Sequence, residues 1–285
     1  MWLNCSPFID GSVYSESVCD HTVWATAGGP AEIAVFNILG RCDTDENPIN
    51  FSGNLDVEQR AALLSELAEL DAKRAKLAQK KGRLVLEQAK AHLQANNETI
   101  IETHLRYGDL VETVLEFQPS ADLLIIGKRG EAADFAKLHL GSNLERVVRS
   151  ISKPILVAAR TFKPIRRFLI AFDGGRSSMK AVEHIAKAPL FKNLECHLLT
   201  AGNESATARE KLDSASAILR AGGHQVTPDL QPGNADKVIS DHVEKAGIDL
   251  LVMGAYGHSR IRNLIIGSTT TQMVRSCKIP VMLFR

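Results

Sequence analysis

Two stretches of this chain spell the same ordered series of features, and that internal repeat restricts the possible folds more than anything else in the sequence. The first stretch runs Ile9-Asp10-Gly11-Ser12 with Ser15, then Asp122-Leu123-Leu124-Ile125-Ile126-Gly127, then Gly141-Ser142-Asn143, and closes on Arg149-Ser150 and Pro154-Ile155. The second runs Phe172-Asp173-Gly174-Gly175 with Ser178, then Asp249-Leu250-Leu251-Val252-Met253-Gly254, then Gly267-Ser268-Thr269, and closes on Arg275-Ser276 and Pro280-Val281. A repeat this long implies two similar domains in tandem, because solenoid periods are much shorter. Asp10 and Asp173 lie 163 positions apart, whereas Gly127 and Gly254 lie 127 apart. The first half therefore carries 36 extra residues between those anchors.

The chain's 285 residues suit two ordinary domains, and the repeat divides them as 1–160 and 161–285. Each half is large enough to bury its own core. In the second half, apolar runs at 168–172, 194–199, 225–227, 249–253 and 281–284 alternate with helical spacing at 177–187, 206–221, 235–245 and 268–275. Strands that alternate with helices pair in parallel, since parallel neighbours need a crossover. The first half follows the same order, with strands expected at 3–9, 31–39, 99–105, 123–126 and 155–158 and a linker over 160–167. Pro7 is unusual there, because it removes a backbone donor from a strand the order makes central.

The extra residues fall in a long helical insertion near 57–96. Leu63, Leu67, Leu70, Leu77 and Leu84 occur at alternating four- and three-residue steps, interrupted by Arg74 and Lys81. An unbroken helix of that length is about 60 Å long, more than one domain covers. Two arrangements remain open: an amphipathic helix lying on its own sheet, or an arm that projects or bends near Gly82 and binds a partner.

In an open doubly wound sheet, ligands bind beyond the carboxyl ends of the strands, where strand order reverses. Asp173 and Gly254 follow the first and fourth strands of the second half and would meet there. The loop Gly254-Ala255-Tyr256-Gly257 lets the backbone approach a ligand closely. Nine residues later Gly267-Ser268-Thr269 opens a helix, whose unpaired N–H groups and positive dipole end suit a phosphate. Asp173, acceptor-only when ionised, suits sugar hydroxyls.

This set of strand, Gly-x2-Gly, nine residues, Gly-Ser and helix, with Asp-Gly after the first strand, resembles the universal stress protein family in its tandem form. The resemblance implies an α/β fold of two tandem doubly wound domains, each an open five-stranded parallel sheet with helices on both faces, of the adenine nucleotide alpha hydrolase-like kind. It implies ATP binding by Asp173, Gly254, Gly257, Gly267, Ser268 and Thr269 in the second half. The matching first-half set is Asp10, Gly127, Gly130, Gly141, Ser142 and Asn143, with ten residues instead of nine between Gly130 and Gly141. Lys128 and Arg129 lie within reach of a triphosphate in that first loop or are simply solvated. Gly175 replaces a serine that often follows Asp-Gly, at the expense of one side-chain hydrogen bond. Magnesium would enter through the phosphates. The family also pairs its last strands between copies, so 155–158 and 281–284 are expected to form a pseudo-dimer within one chain, with a homodimer of chains beyond it.

Other features restrict the remaining function classes. The net charge of +1 supplies no general attraction to nucleic acid or anionic membrane. No apolar run nears the roughly 20 residues that cross a bilayer, which with the N-terminal composition leads to a cytoplasmic expectation. Cys5, Cys19, Cys42, Cys196 and Cys277 form no Cys-x-x-Cys pair and read as buried thiols. His21 and His184 occupy matching positions and are expected to pack locally. No metal-ligand cluster is assigned. No residue is assigned a catalytic role, because the Asp-Gly-Gly-Arg-Ser-Ser order differs from that of ATP-splitting loops and no oriented general base is evident. The expectation is an ATP-binding regulator of the stress response with slow or no hydrolysis. A weak ATP-hydrolysing enzyme and a nucleotide-independent interaction module are the alternatives.

Overall fold

Apolar runs that end in glycine or Asp-Gly become strands because each is short, rich in branched residues and followed at once by a turn. The computed structural model describes residues 3–40, 57–96, 99–128, 142–255 and 268–285, with the backbone alone at 57–60, 142 and 268. The first half contains β1 (Leu3–Ile9), α1 (Ser15–Thr26), β2 (Ala31–Leu39), α2 (Val57–Asn96), β3 (Ile100–Tyr107), α3 (Leu110–Phe117), β4 (Leu123–Gly127), α4 (Ser142–Ser150) and β5 (Ile155–Ala158). The second contains β6 (Arg167–Ala171), α5 (Arg176–Lys187), β7 (Glu195–Ala201), α6 (Ala206–Ala221), β8 (Val226–Gln231), α7 (Ala235–Ala246), β9 (Leu250–Gly254), α8 (Ser268–Ser276) and β10 (Val281–Phe284).

These strands form one sheet in the order β3-β2-β1-β4-β5-β10-β9-β6-β7-β8. Within each half every pairing is parallel. The halves meet through β5 and β10, which run antiparallel with Val281 opposite Val157, Met282 opposite Leu156 and Leu283 opposite Ile155. The expected pairing within one chain is therefore present, and it uses one of the two outer strands of each half. Side-chain alternation along the strands sorts the core onto two faces. Ile33, Ile125, Phe168 and Ile170 face α1, α2, α5 and α6, while Phe36, Leu124, Leu169 and Leu251 face α3, α4, α7 and α8.

Pro7 stays inside central β1. Its ladder to β2 pairs Leu3 to Cys5 with Ala31 to Ile33, skips Ser6 and Pro7, and resumes at Phe8 opposite Phe36. On the other side Pro7 keeps its register opposite Ile125. The missing donor thus costs one local stretch of pairing and leaves the strand intact. β8 runs on to Gln231, past Pro228, because it is an edge strand and needs donors on one side only.

α2 is a single helix without a break at Gly82. Its C-terminal part packs on the body: Leu86, Ala89 and Leu93 are buried in the core, and His92 meets Asp20 of α1 at 2.8 Å. None of residues 61–81 is buried. The helix is therefore docked on its own sheet at one end and projects at the other.

Candidate functional site

The turn after β6 is built by its own side chains. Gly174 adopts φ +67°, the left-handed region that glycine enters without a Cβ penalty. This bends the chain so that Gly175 donates its N–H to Asp173 Oδ1 at 2.8 Å, while Ser178 Oγ, in the first turn of α5, donates to the same oxygen at 2.6 Å. These bonds fix the orientation of Asp173, whose carboxylate accepts at about four positions. Its side chain stands exposed at the carboxyl end of β6.

β9 lies beside β6 and ends at Gly254, so the two turns are neighbours where the strand order reverses. A Cβ at Gly254 would meet Ser177 Cβ at 3.0 Å and Ser178 N at 3.1 Å. Close packing against α5 is thus one reason for this glycine. α8 closes the third side: Thr270, buried in its first turn, donates its hydroxyl to the Gly254 carbonyl at 3.0 Å. Thr269 is half-buried beside it, and Ser268 is the first residue of the helix. Asp173, Gly254 and the N-terminus of α8 therefore converge. Gly257 and Gly267, together with Tyr256, lie outside the described residues.

The first half repeats the turn. Gly11 has φ +81°, Ser12 donates its N–H to Asp10 Oδ1 at 3.0 Å, and Ser15 Oγ approaches that oxygen at 3.5 Å. Ser12 Oγ also accepts from Tyr14 N at 3.3 Å, the side-chain bond that glycine at 175 forgoes. Gly127 ends β4 next to β1, Ser142 opens α4 and Asn143 is exposed in its first turn. Gly130, Gly141 and Arg129 lie outside the described residues. Lys128 departs from both expectations for it, since its Nζ donates to the backbone carbonyl of Cys277 across the joint between the halves.

Sequence reading missed a group above each turn. The Lys211 side chain lies over Gly174, with Nζ 3.5 Å from the Gly174 carbonyl, and Val85 and Lys81 lie over Gly11. Lys211 and Val85 precede the equally spaced pairs Leu212–Ala215 and Leu86–Ala89 on the helices after the second strands. That offset relation was the available signal, hidden by the insertion.

The paired histidines pack as expected. His21 is buried, with Nδ1 2.6 Å from the Ser17 carbonyl and its ring edge-on to Phe162, and His184 lies against the Phe284 ring. Burial lowers the pKa of His21 below the ordinary 6.5. Cys5, Cys19, Cys196 and Cys277 are buried free thiols, and burial pushes Cys19 and Cys196 up to about 12. Among the described residues no group of three His, Cys, Asp or Glu side chains is placed to hold a metal ion, and no helix is long and apolar enough to cross a membrane.

Comparison with known proteins agrees with this architecture. A universal stress protein from Archaeoglobus fulgidus superposes with a TM-score of 0.71 over 99% of this chain and 98% of its own, at 19% identity. The universal stress protein Rv2005c of Mycobacterium tuberculosis is 24% identical over 69% of this chain and 73% of its own. The universal stress protein Slr1230 of Synechocystis sp. is 36% identical over 97% of both chains. The family model for the universal stress protein family matches residues 7–159 and 197–285, leaving Asp173 and α5 between the two segments. With most of its length matched, and the repeated Asp-Gly and Gly-Ser helix-opening pattern built as two joined α/β halves, this chain belongs to the universal stress protein family.

Proposed function

We propose that this protein is a cytoplasmic, ATP-binding regulator of the stress response, with slow or no hydrolysis, and that its second half holds the nucleotide. The observation that carries this reading is the convergence of Asp173, Gly254 and the N-terminus of α8 at the strand-order reversal of β6 and β9. Asp173 would accept from the ribose hydroxyls. Backbone N–H groups opening α8, with the hydroxyls of Ser268 and Thr269, would hold the phosphates, and Gly254 and Gly257 would let the loop backbone come close. Magnesium would be carried by phosphate oxygens, because Mg²⁺ commonly uses substrate phosphates in place of an all-protein cage. The corresponding positions in the first half are Asp10, Gly127, Gly130, Gly141, Ser142 and Asn143. There Val85, with Lys81 beside it, covers the position that Lys211 covers in the second half.

Calorimetric titration with Mg-ATP tests this reading on the intact protein and on Asp173→Ala, Gly257→Val and Gly130→Val. The expected result is saturable binding that Asp173→Ala and Gly257→Val weaken at least about tenfold, equivalent to ~1.4 kcal/mol. Absence of binding by the intact protein would remove the nucleotide from the proposal. The projecting part of α2 would then favour the second reading, a protein-interaction module independent of nucleotide.

A further inference from the structure

α2 leaves its last contact with the body near Gly82, where a Cβ would strike Leu105 and Asn37, and residues 61–81 extend from there without burial. At 1.5 Å per residue the exposed part is about 30 Å long. Most helical stability in proteins comes from packing an amphipathic face, and this stretch packs none of its own on the body. Its apolar stripe is exposed: Leu70 at 50%, Leu77 at 67% and Leu84 at 50%.

The charges along the same stretch are divided by sign. Glu66, Glu69 and Asp71 precede Lys73, Arg74, Lys76, Lys80, Lys81 and Arg83, and no acidic residue lies between Asp71 and Glu87. Leu77 sits in a surface depression otherwise lined by Lys73, Lys76, Gln79, Lys80 and Arg83. Two such helices side by side in parallel would set six cations against six. In antiparallel alignment the acidic run of each faces bases 76–81 of the other, while Lys73 and Arg74 meet across the two-fold axis beside Asp71, which lies 3.9 Å from Arg74 of its own helix. With Leu70 opposite Leu77 of a second copy, Leu63 falls opposite Leu84, Asp71 opposite Lys76, and Glu66 opposite Lys81. Arg74 and Lys81 interrupt the leucine seam, and polar residues at seam positions select orientation and register at the expense of stability. Their aliphatic stems still cover apolar surface.

We propose that α2 joins two copies of this chain through an antiparallel helix pair centred between Leu70 and Leu77. The occupant is a second copy because α2 itself carries both members of the charge complement, the condition for a self-complementary two-fold interface. An anionic surface would attract 73–83 and repel 66–71. The strand edges of β5 and β10 are already joined within the chain and are not open to a second copy.

Sedimentation equilibrium of the full chain, without nucleotide, is the test. The expected particle has twice the 31.1 kDa chain mass. Leu70→Glu with Leu77→Glu raises the dissociation constant roughly a hundredfold or more, and circular dichroism stays folded because both side chains are exposed. Reversing the acidic residues (Glu66→Lys, Asp71→Lys) weakens the dimer, as does reversing the bases they face (Lys76→Glu, Lys81→Glu). Combining both reversals restores it, which only antiparallel pairing permits. A monomer at all concentrations overturns the proposal, and so does a dimer that ignores these substitutions. Sedimentation of a monomer with phosphatidylserine vesicles would assign the basic run to a lipid surface instead. Because no nucleotide enters the test, failure here is separate from failure of the ATP reading.

Discussion

Single side chains set the shape of each Asp-Gly turn, and their consequences are measurable one residue at a time. Gly254 has its backbone against the first turn of α5, so Gly254→Ala presses a methyl group onto Ser177 Cβ and Ser178 N. Forcing a methyl into a packed contact costs about 1–3 kcal/mol. A fall of the urea midpoint equal to that loss divided by the m-value is expected, and an unchanged midpoint would show that α5 shifts freely. His21 supplies a pH test. Desolvation lowers its folded pKa despite the opposing pull of the Ser17 carbonyl and Asp20, so the unfolded chain binds a proton near 6.5 that the folded chain refuses. Stability is therefore held above that pH and lost as pH falls below it. Burial, with the neighbouring His197 adding to it, shifts His242 in the same direction. Urea titrations at pH 7 and about pH 5.5 should give the lower midpoint in acid, with a smaller drop in a His21→Gln variant. The Asp-Gly-x-x-x-Ser spacing made Asp173 and Ser178 legible from the sequence alone, because both bonds close within five residues. Lys211 and Val85 were not legible, since each reaches its turn from a helix that begins more than thirty residues later.

At the scale of elements, α2 shows how one helix serves two environments. Gly82 marks the change, lying where the helix crosses β2 and β3. Alanine there gains about 1 kcal/mol of helix propensity. Its Cβ would come within 2.6 Å of Leu105 Cδ1 and 2.8 Å of Asn37 Oδ1. Leu105 can rotate away, but Asn37 is buried and its amide is tied to the Ile9 carbonyl at 2.9 Å. The clash outweighs the propensity gain, so Gly82→Ala is expected to destabilise by about 1 kcal/mol net in thermal unfolding. A rise in Tm would mean that the Asn37 bond yields easily. The leucine spacing revealed the helix and its length. It did not reveal which turns dock, because one apolar stripe looks the same against a sheet or against water.

Across the whole molecule, β5 and β10 decide how the halves behave together. Leu156 and Met282 are each buried, and Arg285 carries the joint further by donating to the Arg149 carbonyl at 2.5 Å. Leu156→Ala should cost about 2–5 kcal/mol, as large-to-small core changes do, and should move a single calorimetric transition that includes both halves. Two separated transitions would show that the seam is a contact between independent units. The repeat, the strand and helix order, the Asp-Gly turns and the family were all determined by the sequence by itself, since each is written in local spacing or in a comparison of the chain with itself. Tertiary structure alone decided the direction and register of the seam, the side chains covering the turns and the division of α2 into docked and exposed parts. These depend on partners far along the chain, and a short strand apolar on both faces reads identically whichever strand it finds beside it.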